Sequence, residues 1–293
     1  MSKKFNAGIF TVVLVLIAIL GMALLTQRSP ESVDVNGSVI QTPVTSKVAG
    51  DLSLNSSNVL LVERNENLDV LLDIKSDERI YPASLAKIMT AIVALENISD
   101  LDELVTLREE IFNPLYSANA SMAGFSPGEK VRAIDLLFTN MTGLHNNDQY
   151  STARDISVLL EYAIQSEIFF KILTAQRYTA KPTNLNAEGI SFLSTLFSEM
   201  ESPEFNGGTI LGGKTGSTNE AGLCLASIAE KGARQFILVT CGAKAVNDSQ
   251  ELSPPLSAPG GLGRDTYGGS KTEELHIDDA FTVYNAIIIT EGR

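Results

Sequence analysis

Apolar and polar positions divide the chain into distinct stretches. The first is an uncharged, mostly apolar run from Gly8 to Leu25, directly after Lys3 and Lys4. As a helix it would span roughly 27 Å, close to a bilayer's hydrocarbon core. It exits through Leu24-Leu25-Thr26-Gln27-Arg28 with no small-x-small cleavage site, so the pattern predicts an uncleaved anchor over a signal peptide. The two lysines favour a cytoplasmic N-terminus, with the rest outside the membrane. Residues 27–55, rich in Ser, Val, Asn and Thr without periodicity, read as a stalk. Then come two short apolar runs, Asn58–Glu63 and Leu68–Asp73, separated by Arg64-Asn-Glu-Asn67: a predicted hairpin. Tyr81-Pro82-Ala83 breaks the pattern, and Ser84–Leu95 follows with good helix formers and apolar residues all round, predicting a buried helix.

Further on, Ser126-Pro127-Gly128-Glu129 has capping-box spacing, although its Pro and Gly suggest a turn; Ile134, Leu136, Leu137 and Phe138 follow. Thr152–Ile164 reads as an amphipathic helix. Gly222–Ala229 and Gln235–Thr240 flank Lys231-Gly232-Ala233-Arg234 as a second hairpin. A Ser/Pro/Gly-rich loop covers Asn247–Lys271, and Ile277–Ile289 reads as a closing helix. Strands, then helices, then strands and a last helix predict an α/β fold: one domain, 56–293, with a sheet covered by helices. The anchor occupies 1–26.

Charge narrows the function. The net charge of −13 argues against nucleic-acid binding and against docking on anionic lipid. The composition, 44% apolar and 19% charged, is that of a globular chain. If the second hairpin turns at Gly232-Ala233, Cys224 and Cys241 face each other across the strands. An exported protein could oxidise them, but buried free thiols are the preferred reading.

Two motifs carry chemistry. Ser84-Leu85-Ala86-Lys87 is a Ser-x-x-Lys at a helix start, with both side chains on one face. A serine becomes a nucleophile when a base takes its proton, and a desolvated lysine can be that base. The helix N-terminus would favour a developing oxyanion. Lys214-Thr215-Gly216 is the second motif. On a strand edge its cation and hydroxyl suit a substrate carboxylate, and Gly216 gives clearance. Gly208 to Thr215 also matches the phosphate-loop pattern G-x-x-x-x-G-K-T. However, no apolar strand precedes it and a hairpin, not a helix, follows.

Tyr81-Pro-Ala-Ser-Leu-Ala-Lys-Ile-Met-Thr90 resembles the nucleophile segment of the low-molecular-mass penicillin-binding proteins, the D-alanyl-D-alanine carboxypeptidases. Further blocks resemble theirs in order: Ser121-Met-Ala-Gly-Phe with Pro127-Gly-Glu129 and Asp135-Leu-Leu137; Thr142-Gly-Leu-His145 with Tyr150–Asp155; Gly213–Gly216 with Ala221–Leu225; and His276–Ala280. The resemblance implies a serine β-lactamase/D,D-peptidase-like fold with an antiparallel sheet. It implies Ser84 as acyl-enzyme nucleophile, Lys87 as base, and Lys214 and Thr215 holding the terminal carboxylate of a peptidoglycan stem peptide or a β-lactam. The oxyanion hole would combine the Ser84 N–H with one near Ser217. No metal or organic cofactor is implied.

The chain also departs from that family. Its Ser-x-Asn motif is absent from the expected place, where Leu136-Leu137-Phe138 runs straight into Thr139-Asn140-Met-Thr-Gly-Leu-His145. Ser56-x-Asn58, Ser117-x-Asn119 and Ser217-x-Asn219 stand elsewhere, and Asn140, Asn146 or Asn147 are the candidate substitutes. The helical subdomain is therefore expected to be truncated. Losing a proton relay or an amide-orienting donor threatens activity more than fold. The resemblance does not extend to the family's C-terminal β-domain and amphipathic anchor, which are not expected here. An N-anchored arrangement like this one resembles accessory D,D-carboxypeptidases of glycopeptide-resistance systems.

Overall fold

The computed structural model describes residues 45–117, 122–138, 148–244 and 274–290. All lie in one compact unit, Pro43–Gly292. The expected anchor at Gly8–Leu25 and the loop Asn247–Lys271 lie outside the described residues. Among the described residues no helix is long and apolar enough to cross a membrane.

In chain order the strands are β1 (Thr45–Val48), β2 (Asn58–Glu63), β3 (Asp69–Ile74), β4 (Leu104–Thr106), β5 (Lys130–Arg132), β6 (Arg177–Thr179), β7 (Ser191–Leu193), β8 (Glu204–Phe205), β9 (Gly208–Thr218), β10 (Gly222–Lys231), β11 (Arg234–Ala243) and β12 (Ile287–Thr290). The α-helices are α1 (Lys87–Asn97), α2 (Glu109–Ser117), α3 (Ala133–Leu137), α4 (Ala153–Ala163), α5 (Glu167–Thr174), α6 (Thr195–Ser198) and α7 (Leu275–Asn285).

Among the described residues the central sheet is antiparallel and six-stranded, in the order β3-β2-β11-β10-β9-β8. It is buried on both faces, which is why β2 reads as an unbroken apolar run instead of an alternating one. Leu60 and Val62 pack on one face with Leu85 and Ile88, and with Leu160 of α4. Val59 and Leu61 pack on the other with Phe236, Ile277 and Tyr284. There the Tyr284 hydroxyl meets Ser227 Oγ at 2.9 Å, so the buried phenol keeps a partner. Both predicted hairpins form, and β10 and β11 turn at Gly232-Ala233, where both residues have positive φ.

A smaller apolar cluster, Leu107, Phe112, Phe125, Val131 and Ala180, lies under the β4–β5 and β6–β7 pairs. Glu129 is fully buried beside it. Its carboxylate accepts from Ser126 N (2.8 Å), Thr183 Oγ1 (2.5 Å) and Asn186 Nδ2 (2.7 Å), offsetting its desolvation. The Ser126–Glu129 segment is thus a turn, with Gly128 at φ +80, and not a helix cap. The helix expected over Thr152–Ile164 forms as α4, and the Thr152 side chain caps it by accepting from Asp155 N.

Three sequence expectations need correcting. The segment from Ser84 is not one helix: Ala83–Ala86 is a 3₁₀ turn that passes into α1. Nor is α1 buried all round. Ile88, Ala91 and Ile92 face the core, while Met89 and Val93 are exposed, because the sheet offers one face to pack on. The closing helix stops at Asn285, and Ile287-Ile-Ile-Thr290 becomes β12, as a β-branched run favours. Its partner is β1, a strand inside the stretch expected to be stalk.

Candidate active site

Tyr81-Pro82-Ala83 breaks the chain before the nucleophile segment. Ala83 has φ +46, a left-handed conformation that costs a non-glycine residue energy. It delivers Ser84 into the 3₁₀ turn, and Lys87 opens α1 one turn later. Burial lowers the Lys87 ammonium to about 8, so a neutral amine is accessible near physiological pH.

Against this turn lies β9. A Cβ added at Gly216 would stand 3.0 Å from Ser84 N and 3.3 Å from both Ala83 Cβ and Leu85 N. Gly216 therefore gives clearance, as expected, and what it clears is the backbone at Ser84 and Leu85. In register, Gly216, Thr215 and Lys214 oppose Cys224, Leu225 and Ala226 of β10. On the other edge β8 pairs only with Gly208 and Thr209, so among the described residues no strand lies beside Lys214-Thr215-Gly216. Lys214 Nζ donates to Thr215 O at 2.5 Å. Its ammonium is lowered to about 8 by burial and by Lys87, against the opposing effect of Glu199. Thr215 Oγ1 lies 2.9 Å from Thr195 Oγ1 at the start of α6.

Ser84, Lys87, Lys214, Thr215, Gly216 and Ser217 all line one cleft of about 490 Å³. Gly208–Thr215 lies in a strand and opens no helix, which removes the phosphate-loop alternative. The Gly-Gly pair that suggested it has another cause. A Cβ at Gly212 would stand 2.4 Å from Leu173 O, so the glycine lets the end of α5 sit on the strand.

The aromatic part of the lining is different. Phe138 and Tyr178 stack with ring centroids 3.6 Å apart, joined by Leu137, Met122 and Phe192. The Tyr178 hydroxyl donates to buried Asp135, which Arg132 also grips from Nε (2.9 Å) and a terminal nitrogen (2.6 Å). Burial first, then Asp135, raises the Tyr178 phenol to about 12, so it stays protonated. No asparagine stands among the described residues lining the cleft. The expected substitutes Asn140, Asn146 and Asn147 lie outside the described residues. Of the Ser-x-Asn matches elsewhere, Asn58 is spent on the sheet, donating to Lys75 O.

Sequence reasoning assigned no role to Thr195, Glu199 or Tyr178, and it placed His276 only in the closing helix. Burial raises the Glu199 carboxyl to about 7, with Glu274 adding to the rise and Lys214 opposing it. His276 is buried and held neutral, down to about 4, chiefly by desolvation. Its Nε2 lies 3.7 Å from Glu199 Oε2. Cys224 and Cys241 are buried free thiols.

Residues 129–245 match the family described as D-alanyl-D-alanine carboxypeptidase. Among solved structures, the K15 DD-transpeptidase of Streptomyces is 19% identical, with TM-score 0.64 over 81% of this chain and 98% of its own. A mutant form of the same enzyme is 22% identical, with TM-score 0.58 over 67% of this chain and 93% of its own. A penicillin-binding protein homologue from Mycobacterium tuberculosis is 18% identical, with TM-score 0.56 over 68% of this chain and 88% of its own. The resemblance read from the sequence is borne out, and the fold is that of the D,D-peptidases.

Proposed function

We propose that this chain is a serine-type D-Ala-D-Ala carboxypeptidase that trims the terminal D-Ala from peptidoglycan stem peptides through a Ser84 acyl-enzyme. The observation that carries this reading is the seating of Ser84 against Gly216 of the Lys214-Thr215-Gly216 strand, in a cleft that Lys87 also lines. An extended peptide adds along the open edge of β9. Its carboxylate meets Lys214 and Thr215. The neutral amine of Lys87 takes the Ser84 hydroxyl proton as Oγ attacks the penultimate carbonyl carbon. The oxyanion is held by the Ser84 N–H and one near Ser217. The amide C–N bond breaks, Lys87 returns the proton to the leaving amine, and D-Ala departs. Water then hydrolyses the ester and restores Ser84. A β-lactam would acylate the same serine. The run Gly8–Leu25 would hold the domain outside the membrane as a single-pass anchor. In that setting an accessory role in glycopeptide resistance, removing pentapeptide termini, is open to the enzyme.

A second reading is favoured by the apolar Phe138–Tyr178 wall. With no polar pair among the described residues of that wall to orient the substrate amide, the chain would bind peptide or penicillin without efficient turnover. One experiment separates the two: labelling with a fluorescent penicillin, together with D-Ala release from a pentapeptide, in wild type and Ser84→Ala. The carboxypeptidase gives both signals and the variant loses both, release falling by on the order of 10³-fold or more. Labelling without release supports the second reading. No difference between the proteins sinks both.

A further inference from the structure

Two ammonium groups, Lys87 and Lys214, line the cleft, and Glu199 is the one carboxylate among its described lining residues. Glu199 directly follows α6, whose first residue, Thr195, bonds to Thr215 next to Lys214. The carboxylate is therefore carried on the same wall as the lysine. Its Oε2 is buried and accepts no hydrogen bond from the described residues. A buried oxygen without a donor is costly when charged.

The groups around it come from two elements. From α7, His276 is buried and neutral, with Nδ1 also lacking a partner among the described residues, and Glu274 at the helix start adds negative charge. From β9, Lys214 supplies the positive field that favours the Glu199 carboxylate. In return Glu199 supports the Lys214 ammonium, which burial and Lys87 work against.

We propose that Glu199 is the counter-charge of Lys214 in the empty cleft and gives up that place, by taking a proton from solvent, when the substrate's terminal carboxylate docks on Lys214. This rests on the carboxypeptidase reading above. Two carboxylates cannot both stay ionised around one half-buried ammonium, so one must be protonated. The terminal carboxylate of a peptide is the more acidic, and burial already holds Glu199 up at about 7. Glu199 is thus a positioning residue that acts through Lys214. It makes capture of the anionic substrate a proton-consuming step that weakens as pH rises above neutrality.

The test is the second-order rate of Ser84 acylation by a fluorescent penicillin, which carries the same carboxylate, from pH 6 to 8. The full chain is compared with Glu199→Gln and Glu199→Asp. Taking the ratio to wild type cancels the Lys87 titration. For Glu199→Gln the ratio should climb from about 1 at pH 6 to several-fold at pH 8, as expected when a group near 7 ionises only in wild type. Glu199→Asp keeps a titrating carboxylate and should stay closer to wild type at pH 8. A merely structural role would lower the rate equally at every pH, and parallel profiles overturn the proposal. Calorimetry of wild type with benzylpenicillin at pH 7, in two buffers of different ionisation heat, needs no variant. It should register uptake of roughly half a proton, and zero uptake also overturns the proposal. If wild type is not acylated at any pH, the carboxypeptidase reading itself fails and this one with it. Acylation with parallel profiles removes this inference alone.

Discussion

The two walls of the cleft are built on opposite principles. The wall of Ser84, Lys87 and β9 is polar, and its lysines are both displaced from their ordinary values by burial. The aromatic wall spends its polar groups on itself. Asp135, Arg132 and the Tyr178 hydroxyl satisfy one another beside the Phe138–Tyr178 stack, and the two rings line the cleft. On the proposed reading the first wall supplies a nucleophile, a base and an anion anchor, and the second offers shape and exclusion of water. That reading makes forming the acyl-enzyme and orienting the amide separable tasks.

The comparison can be broken most sharply at Lys87. Lys87→Ala should cut penicillin acylation by about 10²–10⁴-fold, the range for losing a general base. In wild type the acylation rate should climb between pH 5.5 and 7, because the reactive form is the neutral amine of a group lowered to about 8. A rate independent of pH over that range would remove Lys87 as the base. The next largest effect belongs to Gly216. An alanine there must push on the backbone at Ser84, at 3.0 Å, costing about 1–3 kcal/mol. If that strain falls on the nucleophile, acylation drops by roughly 10–100-fold with a smaller change in melting temperature. Unchanged acylation would mean the two backbones are less tightly seated. The smallest effect is expected across the cleft. Tyr178→Phe removes one bond to buried Asp135 and should lower unfolding free energy by about 1 kcal/mol, read by urea denaturation. Acylation should change less than two-fold; a large fall would give the second wall a catalytic part.

Legibility in the sequence followed the range of the forces involved. The β10–β11 register was readable from Lys231 opposite Arg234 to Leu225 opposite Thr240, because turn chemistry at Gly232-Ala233 sets it locally; the expected Cys224–Cys241 pairing falls one step further, where the ladder shifts by a residue between Leu223 and Leu225. Ser84, Lys87 and Lys214 were readable because their spacing and neighbours are local too. Glu199 was not. It stands in a polar stretch, and only the docking of α6 on β9 brings it into the cleft that Lys214 lines. Phe138 and Tyr178 are some forty positions apart and meet through the β4–β5 and β6–β7 pairs, which are too short to carry a periodic signal. The buried face of α1 was misjudged for a related reason: its composition is apolar all round, and only the single sheet beneath it decides which side is covered.

The pairing of Thr45 with Thr290 has a topological consequence. The first and last described strands lie side by side, so the domain's path through space is nearly a closed ring. A short linker joining those ends would let the chain be cut open elsewhere, for instance in the exposed Arg64–Asn67 turn, without separating any two strands of the central sheet. A permuted protein of that kind would present the same cleft while being held from a different side.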